Sequence, residues 1–356
     1  MTKEQAVVAK FQVKNEQYAI SPYGDGHIND TFLVEGSEKY ILQRINHNIF
    51  KDVDGLMANI SAVCAHQLEM VKKAGGDTSK CLTVIPTLDG KTYYKTEDGN
   101  YYRMFDFIKN TVSINIPLSA EHFGEGGKCF ARFMKSLIDF DASTLTDTIP
   151  NFHDTEKRFM KLVSAVEKDE FNRKAEVQEL IDFAYAREED CKRVVRLIEK
   201  GEIPLRVTHN DTKFNNLLFD EQTKAPVSVI DLDTIMKGSV LYDFGDAVRI
   251  GCNPVAEDEH DLSLVQFNLP FYKVFVKSYV EVLDGLLTKA EIDNLAFSCR
   301  LLTLECGIRF LTDYLEGDVY FKTHYDKQNV YRCKTQFKLV SDMEKVFKEM
   351  EEAVRA

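Results

Sequence analysis

The chain has 356 residues, 44% of them hydrophobic and 29% charged, an ordinary globular balance at a length that favours two lobes over one core. Its net charge of −12, from 45 basic and 57 acidic side chains, comes without any basic block. This excludes nucleic-acid binding through counterion release and leaves room for a local anion site.

The N-terminal Met1-Thr-Lys-Glu-Gln-Ala lacks an apolar signal core, and no apolar run approaches the roughly 20 residues that span a bilayer. A cytoplasmic protein with no membrane partner is expected. The eight cysteines are scattered without a C-x-x-C pair, the pattern of reduced thiols.

In chain order, Thr31-Phe-Leu-Val and Lys39-Tyr-Ile-Leu flank the turn Gly36-Ser37 and predict a hairpin. Residues 52–74 carry helical spacing (Leu56, Ile60, Val63, Leu68, Val71) up to Gly75-Gly76. Leu82-Thr-Val-Ile-Pro-Thr, Lys91-Thr-Tyr-Tyr and the aromatic run 101–108 are separated by Asp89-Gly90 and Asp98-Gly99, which predicts further antiparallel strands. The rest reads mainly as helix. Phe123, Phe130, Phe133 and Leu137 share one face, 176–200 ends at Gly201 and Pro204, and helical patterns return at 265–286, 291–315 and 335–354. One β-rich island, Leu205 to Ile235, interrupts them. The fold class expected is α+β, with an N-terminal nucleotide-binding lobe at 1–108 and a catalytic lobe at 109–356.

The island reads His209-Asn-Asp211-Thr-Lys213-Phe-Asn-Asn216, then Val227-Ser-Val-Ile-Asp231-Leu-Asp233. Phosphoryl transfer needs a carboxylate to orient and deprotonate the attacking hydroxyl, oxygen ligands for Mg²⁺, and a cation near the transferring group. Asp211 suits the first need, Asn216 and Asp231 the second, Lys213 the third. An Asn and an Asp leave Mg²⁺ room for phosphates and water. The spacing from Asp211 through Lys213 to Asn216, with a following strand that ends in Asp231, matches a kinase catalytic loop. Strand alternation would put Asp231 and Asp233 on one face. Asp243-Phe244-Gly245 spells another kinase triplet, but it lies too far beyond Asn216, so Asp243 is expected to brace the catalytic loop.

Two further features have open readings. Gly24 and Gly26 in Tyr23-Gly-Asp-Gly-His27-Ile-Asn29 serve either an ordinary turn or a backbone approach to phosphate. Glu305, Arg309 and Asp313 stand four apart, forming either a solvated ion-pair ladder or the wall of a polar pocket.

Together these residues resemble the aminoglycoside/choline phosphotransferase superfamily of protein-kinase-like folds. Within it the resemblance is closer to the N-acetylhexosamine 1-kinases. It runs through Pro22-Tyr-Gly-Asp-Gly-His-Ile-Asn29, Tyr40-Ile-Leu-Gln43, Phe152-His-Asp-Thr155, Pro204 to Lys213, Ile230 to Met236, Asp243-Phe-Gly-Asp246 and Glu305 to Asp318. It implies ATP as co-substrate, Mg²⁺, an amino-sugar acceptor and a monomer. It implies that Asp211 is the base on the sugar's anomeric hydroxyl, and that Asn216 and Asp231 hold the metal. By the same resemblance His27, Ile250, Arg309 and Tyr320 contact the sugar, Ile250 standing where the family has an aromatic residue. The segment Arg103 to Phe107, with Phe105, resembles the adenine hinge. Asn29 replaces the third glycine of the kinase loop, and Gln43 occupies the strand position of the phosphate-gripping lysine, which leaves one cation unaccounted for. An aminoglycoside kinase and an inactive kinase-like binding module are the competing readings.

Overall fold

The computed structural model describes residues 2–14, 17–24 and 28–356. In chain order the elements begin with α1 (Lys3–Val8), β1 (Ala19–Pro22), β2 (Asp30–Glu35), β3 (Lys39–Ile45), α2 (Val53–Lys73), β4 (Tyr94–Lys95), β5 (Tyr101–Asp106) and β6 (Thr111–Ser113). Helices α3 (Ala120–Lys135), α4 (Thr155–Lys168), α5 (Gln178–Tyr185) and α6 (Glu188–Glu199) follow. They lead into β7 (Arg206–Thr208), β8 (Leu217–Asp220), β9 (Pro226–Val229) and β10 (Met236–Gly238). Helices α7 (Val240–Gly251), α8 (Leu269–Val282), α9 (Lys289–Leu315), α10 (Gln328–Lys345) and α11 (Phe347–Arg355) close the chain. This is the expected α+β, protein-kinase-like fold: antiparallel sheet early, helix late.

Two compact units interleave along the sequence. The first comprises 1–113, 136–150 and 218–237; the second comprises 114–135, 151–217 and 238–356.

In the first unit, five strands form an antiparallel sheet in the order β1-β2-β3-β5-β4. The hairpin read from Gly36-Ser37 is β2–β3, with Leu33 opposite Ile41. Alternation along β3 and β5 turns Tyr40, Leu42, Tyr102 and Met104 into one apolar layer with Val7, Val8 and Phe11. Thr2 caps α1 through a reciprocal capping box with Gln5. The Asp98-Gly99 turn does connect paired strands, and Gly99 takes the left-handed φ of +81° that the turn requires. Asp89-Gly90 turns as well, but Leu82 to Thr87 is not a strand. It touches β5 only at the Val84–Phe105 bridge, and Thr87 instead folds back onto Lys91 through its own hydroxyl and N–H.

A second correction concerns Val-Ile-Asp-Leu-Asp. The strand β9 ends at Val229, Asp231 has φ +61°, and Leu232–Thr234 is a single 3₁₀ turn. Asp231 is therefore exposed while Asp233 is buried. The expected shared face does not exist.

The second unit is built around α9, a 27-residue helix. Its Leu304, Ile308, Leu311 and Leu315 join Phe159 and Leu162 of α4 and Phe337 of α10 in one core. The single helix expected over 176–200 breaks into α5 and α6 around Ala186-Arg187. The break follows tertiary demand: Phe183 stacks on Phe337 at 4.5 Å, and Arg187 lies over the Phe183 ring while pairing with Glu344. The cysteines are free thiols. No helix among the described residues is long and apolar enough to cross a membrane.

Candidate active site

The catalytic-loop sequence follows β7 in the second unit. Asp211 is partly buried, its side chain 27% exposed, and Lys213 Nζ lies 3.0 Å from Asp211 Oδ1. Burial is the strongest influence on Asp211 and raises its carboxyl. The Lys213 ammonium and His209 outweigh it, so Asp211 sits below its ordinary range and stays ionised at neutral pH. The Lys213 ammonium is raised in turn, chiefly by Asp211. Asn216, in the 3₁₀ turn Phe214–Asn216, donates its Nδ2 to the Asp211 carbonyl at 2.8 Å and to Asp211 Oδ2 at 3.2 Å. That bond spends the amide nitrogen on the loop and leaves Asn216 Oδ1 as the atom for a hard cation.

Asp243 braces this loop, as expected. Its Oδ2 accepts from the His209 N–H at 2.9 Å and its Oδ1 from the Asn210 N–H at 2.7 Å. Its own carbonyl accepts from Thr212 Oγ1 at 2.6 Å. Burial pushes the Asp243 carboxyl up, against the influence of the nearby His209 and the two amide bonds. The triplet Asp243-Phe244-Gly245 lies inside α7, where Phe244 is core and Gly245 meets α9.

The stripe Glu305, Arg309 and Asp313 is not a solvated ladder. Glu305 and Asp313 are each 2% exposed. Glu305 holds His153 Nδ1 at 3.1 and 3.2 Å, and Arg309 Nη1 lies 3.9 Å from Glu305. His153 Nε2 reaches the carbonyl of Asn210 at 3.2 Å, one residue before Asp211. Burial raises the Glu305 carboxyl, yet His153, Arg309 and Arg158 hold it below its ordinary range. Arg309 sits among the rings of Phe152, Phe321 and Tyr320, at 5.2, 5.5 and 5.8 Å. Asp313 fixes that cradle by accepting from the N–H groups of Val319, Tyr320 and Phe321 at 2.7 to 3.0 Å.

One turn before the half-buried Ile250, Asp246 accepts from Arg249 through Oδ1 at 2.8 and 3.1 Å. Its Oδ2 is buried with no hydrogen-bond partner among the described residues. Neither Asp246 nor His153 stood out in the sequence except as members of longer matching stretches. The signal for Asp246 was polarity in a segment otherwise rich in apolar residues; His153, among Asn151, Asp154 and Glu156, had no such mark.

The remaining candidates fall in the first unit. Gly24 is exposed with φ +73°; Gly26 and His27 lie outside the described residues. Along β5, the Met104 carbonyl accepts from Ile85, the Asp106 N–H donates to Thr83, and the Phe107 N–H reaches Lys39. Phe105 is buried, and Arg103 is 1% exposed with its side chain engaged by Gln43 and Asp233. Asp231 belongs to this unit, whereas Asp211, Lys213, Asn216, Ile250, Arg309 and Tyr320 belong to the other.

Similar proteins share the fold. A microcompartment-associated aminopropanol kinase superposes with a TM-score of 0.59 at 16% identity, covering 98% of each chain. An aminoglycoside phosphotransferase from Alicyclobacillus acidocaldarius gives 0.62 at 13% identity, over 99% of this chain and 96% of that one. A choline/ethanolamine kinase family protein from Mesorhizobium loti gives 0.56 at 14% identity, over 100% and 99%. The family model described as "Phosphotransferase enzyme family" matches residues 19–261, a span that holds the braced loop, Asn216 and Asp231. With that match over most of its length, the chain belongs to the phosphotransferase enzyme family.

Proposed function

We propose that the protein transfers the γ-phosphoryl group of ATP to the anomeric hydroxyl of an N-acetylhexosamine, N-acetylglucosamine or N-acetylgalactosamine, giving the sugar 1-phosphate. The observation that carries this reading is the buried polar chain Arg309–Glu305–His153–Asn210, which ties a ring-lined guanidinium to the residue before Asp211. A guanidinium set among aromatic rings suits a neutral acceptor that offers hydroxyl and carbonyl oxygens and an apolar sugar face.

On this reading Asp211 orients the anomeric hydroxyl and accepts its proton, and Lys213 offsets charge on the transferring group. His27, Ile250, Arg309 and Tyr320 contact the sugar. Gly24 and Gly26 bring backbone to the phosphates, and the strand of Arg103, Phe105 and Phe107 lies on the adenine side. Asn216 Oδ1 and the Asp231 carboxylate suit Mg²⁺ as oxygen donors few enough to leave it phosphate and water ligands. When bound, Mg²⁺ would neutralise the β- and γ-phosphate charge. Residues 1–108 act as the nucleotide-binding lobe and 109–356 as the catalytic and sugar-binding lobe of a cytoplasmic monomer.

A second reading, a kinase for a cationic amino alcohol or aminoglycoside, draws on the unpartnered Asp246 Oδ2. A buried carboxylate oxygen suits an ammonium as well as a hydroxyl. The test is ADP release with ATP and Mg²⁺ across hexosamines, aminoglycosides and small amino alcohols. Phosphorus NMR of the product then identifies the acceptor oxygen. Turnover of an N-acetylhexosamine to an anomeric phosphate is expected. Turnover confined to the cationic acceptors overturns the first reading in favour of the second.

A further inference from the structure

Kinase-like sheets ordinarily carry a lysine on the third strand, where its ammonium meets the nucleotide phosphates and a glutamate. Here β3 presents Gln43 at that place, and register sets it directly opposite Arg103 of β5. Arg103 Nε donates to Gln43 Oε1 at 2.9 Å, while Gln43 Nε2 donates to Thr31 Oγ1 at 3.1 Å. Through Nη1 the same guanidinium pairs with Asp233, both side chains nearly sealed from solvent at 2% and 6% exposure. The other Asp233 oxygen accepts from Asn29 Nδ2 at 2.6 Å, and Asn29 Oδ1 accepts from the Asn46 N–H at 2.9 Å. Asp233 sits in the 3₁₀ turn that starts from the left-handed Asp231. One buried carboxylate therefore gathers three pieces of the first unit: the middle of the sheet, the end of the glycine-bearing loop and the turn that presents Asp231.

Two charges persist in such a place only when each is the other's counter-ion and their remaining hydrogen-bonding capacity is filled. Gln43 contributes to the second condition, because its oxygen accepts the Arg103 Nε–H. A lysine at 43 would set a second cation against the guanidinium with Asp233 as the contacting anion. An arginine at 103 and a glutamine at 43 are therefore a matched pair. Glycine or asparagine would take the φ of Asp231 more readily than aspartate does, so its conformation has to be held from outside.

We propose that Arg103 has taken over from the third-strand lysine as the cation of the nucleotide side. It acts as a positioning residue that holds Asp233, and through Asp233 the Asp231 turn and Asn29. The nucleotide consequence rests on the kinase reading above; the pairing of residues 43 and 103 does not.

The experiment is a double-mutant cycle of Gln43→Lys, Arg103→Gln and both, with Arg103→Lys as the conservative variant. Its readouts are the affinity for Mg·ADP by calorimetry, the unfolding midpoint of the ligand-free protein, and KM for ATP against kcat. Each single change is expected to weaken Mg·ADP binding roughly tenfold and to lower the midpoint. The double variant, with one cation restored beside Asp233, is expected to regain most of both, a coupling of the size found between contacting residues. Arg103→Lys should raise KM for ATP less than Arg103→Gln does. Additive losses in the double variant, or a folded Arg103→Gln protein with unchanged Mg·ADP affinity, overturn the proposal. If Arg103→Gln does not fold, Gln43→Met removes the Nε acceptor, together with the donor to Thr31, while leaving Arg103 and Asp233 in place, and an unchanged Mg·ADP affinity there has the same force. A wild-type protein that binds no Mg·ADP defeats the kinase reading instead, while the midpoints of the ligand-free variants still report on the pair.

Discussion

Asp211 and Glu305 are both carboxylates held below their ordinary range, and they make opposite demands on a substitution. Asp211 is partly open and its neighbours Lys213 and Asn216 are polar, so Asp211→Asn keeps the shape of the loop while removing the proposed proton acceptor and the counter-charge of Lys213. Turnover is expected to fall by about 10²–10⁴, with Mg·ATP affinity little changed. Steady-state rates alongside nucleotide titration check this, and near wild-type turnover reassigns the base. Glu305 is sealed and faces His153 and Arg309, so Glu305→Gln is expected to cost about 1–3 kcal/mol of stability at neutral pH. Its carboxyl has a lower pKa folded than unfolded, so the ionised form adds stability above the ordinary glutamate range near pH 4.3, and that stability is lost as pH falls through the folded value. Melting curves of wild type and variant should therefore be furthest apart at neutral pH and converge on acidification. A gap that widens toward acid contradicts the assignment.

Among the elements, legibility followed pattern. The β2–β3 hairpin and α2 have clean alternation and clean helical spacing, and the sequence reading matches both closely. Helix α7 was invisible because nearly all of Val240–Gly251 is buried, so no polar face marks a period. The split between α5 and α6 has no Gly or Pro to announce it; Arg187 and Glu344 make it from 157 residues apart. The same limit hid the fate of Asp233, whose partner Arg103 is remote in sequence, so local alternation was the only guide and it misled. Helix α7 also explains its own kinase-like triplet. A Cβ on Gly245 would stand 2.5 Å from the Ser298 carbonyl of α9, a backbone atom that cannot swing aside. Gly245→Ala is expected to cost about 1–3 kcal/mol in urea unfolding. Turnover should fall with it, because α7 carries the Asp243 that holds the His209 and Asn210 amides. A variant as stable as wild type would show that the helices can part freely.

At the scale of the whole molecule, the bracing of the 209–216 loop and the Asp98-Gly99 turn were legible because the residues that make each carry their pattern within a short stretch. The interleaving of two units was not, because a return such as 218–237 is written in partners instead of periods. This bears on how far a nucleotide-binding lobe drawn as 1–108 stands by itself. Such a fragment keeps Arg103 and loses Asp233, and it keeps Asn59 while losing the Thr146 and Ile235 carbonyls that Asn59 Nδ2 reaches at 2.8 and 2.9 Å. A buried guanidinium stripped of its counter-ion costs about 3–5 kcal/mol. That is a large share of the roughly 5–15 kcal/mol that holds a typical domain together. Residues 1–108 expressed alone are therefore expected to give poorly dispersed amide NMR signals and no cooperative melt. Arg103→Met in the same fragment, which removes the stranded charge, should recover part of the cooperativity. In the full chain the same change should lower the melting temperature, because there it strands Asp233. A fragment that melts sharply with Arg103 in place would mean that the guanidinium reaches water or another anion, and the ion pair would lose its structural role.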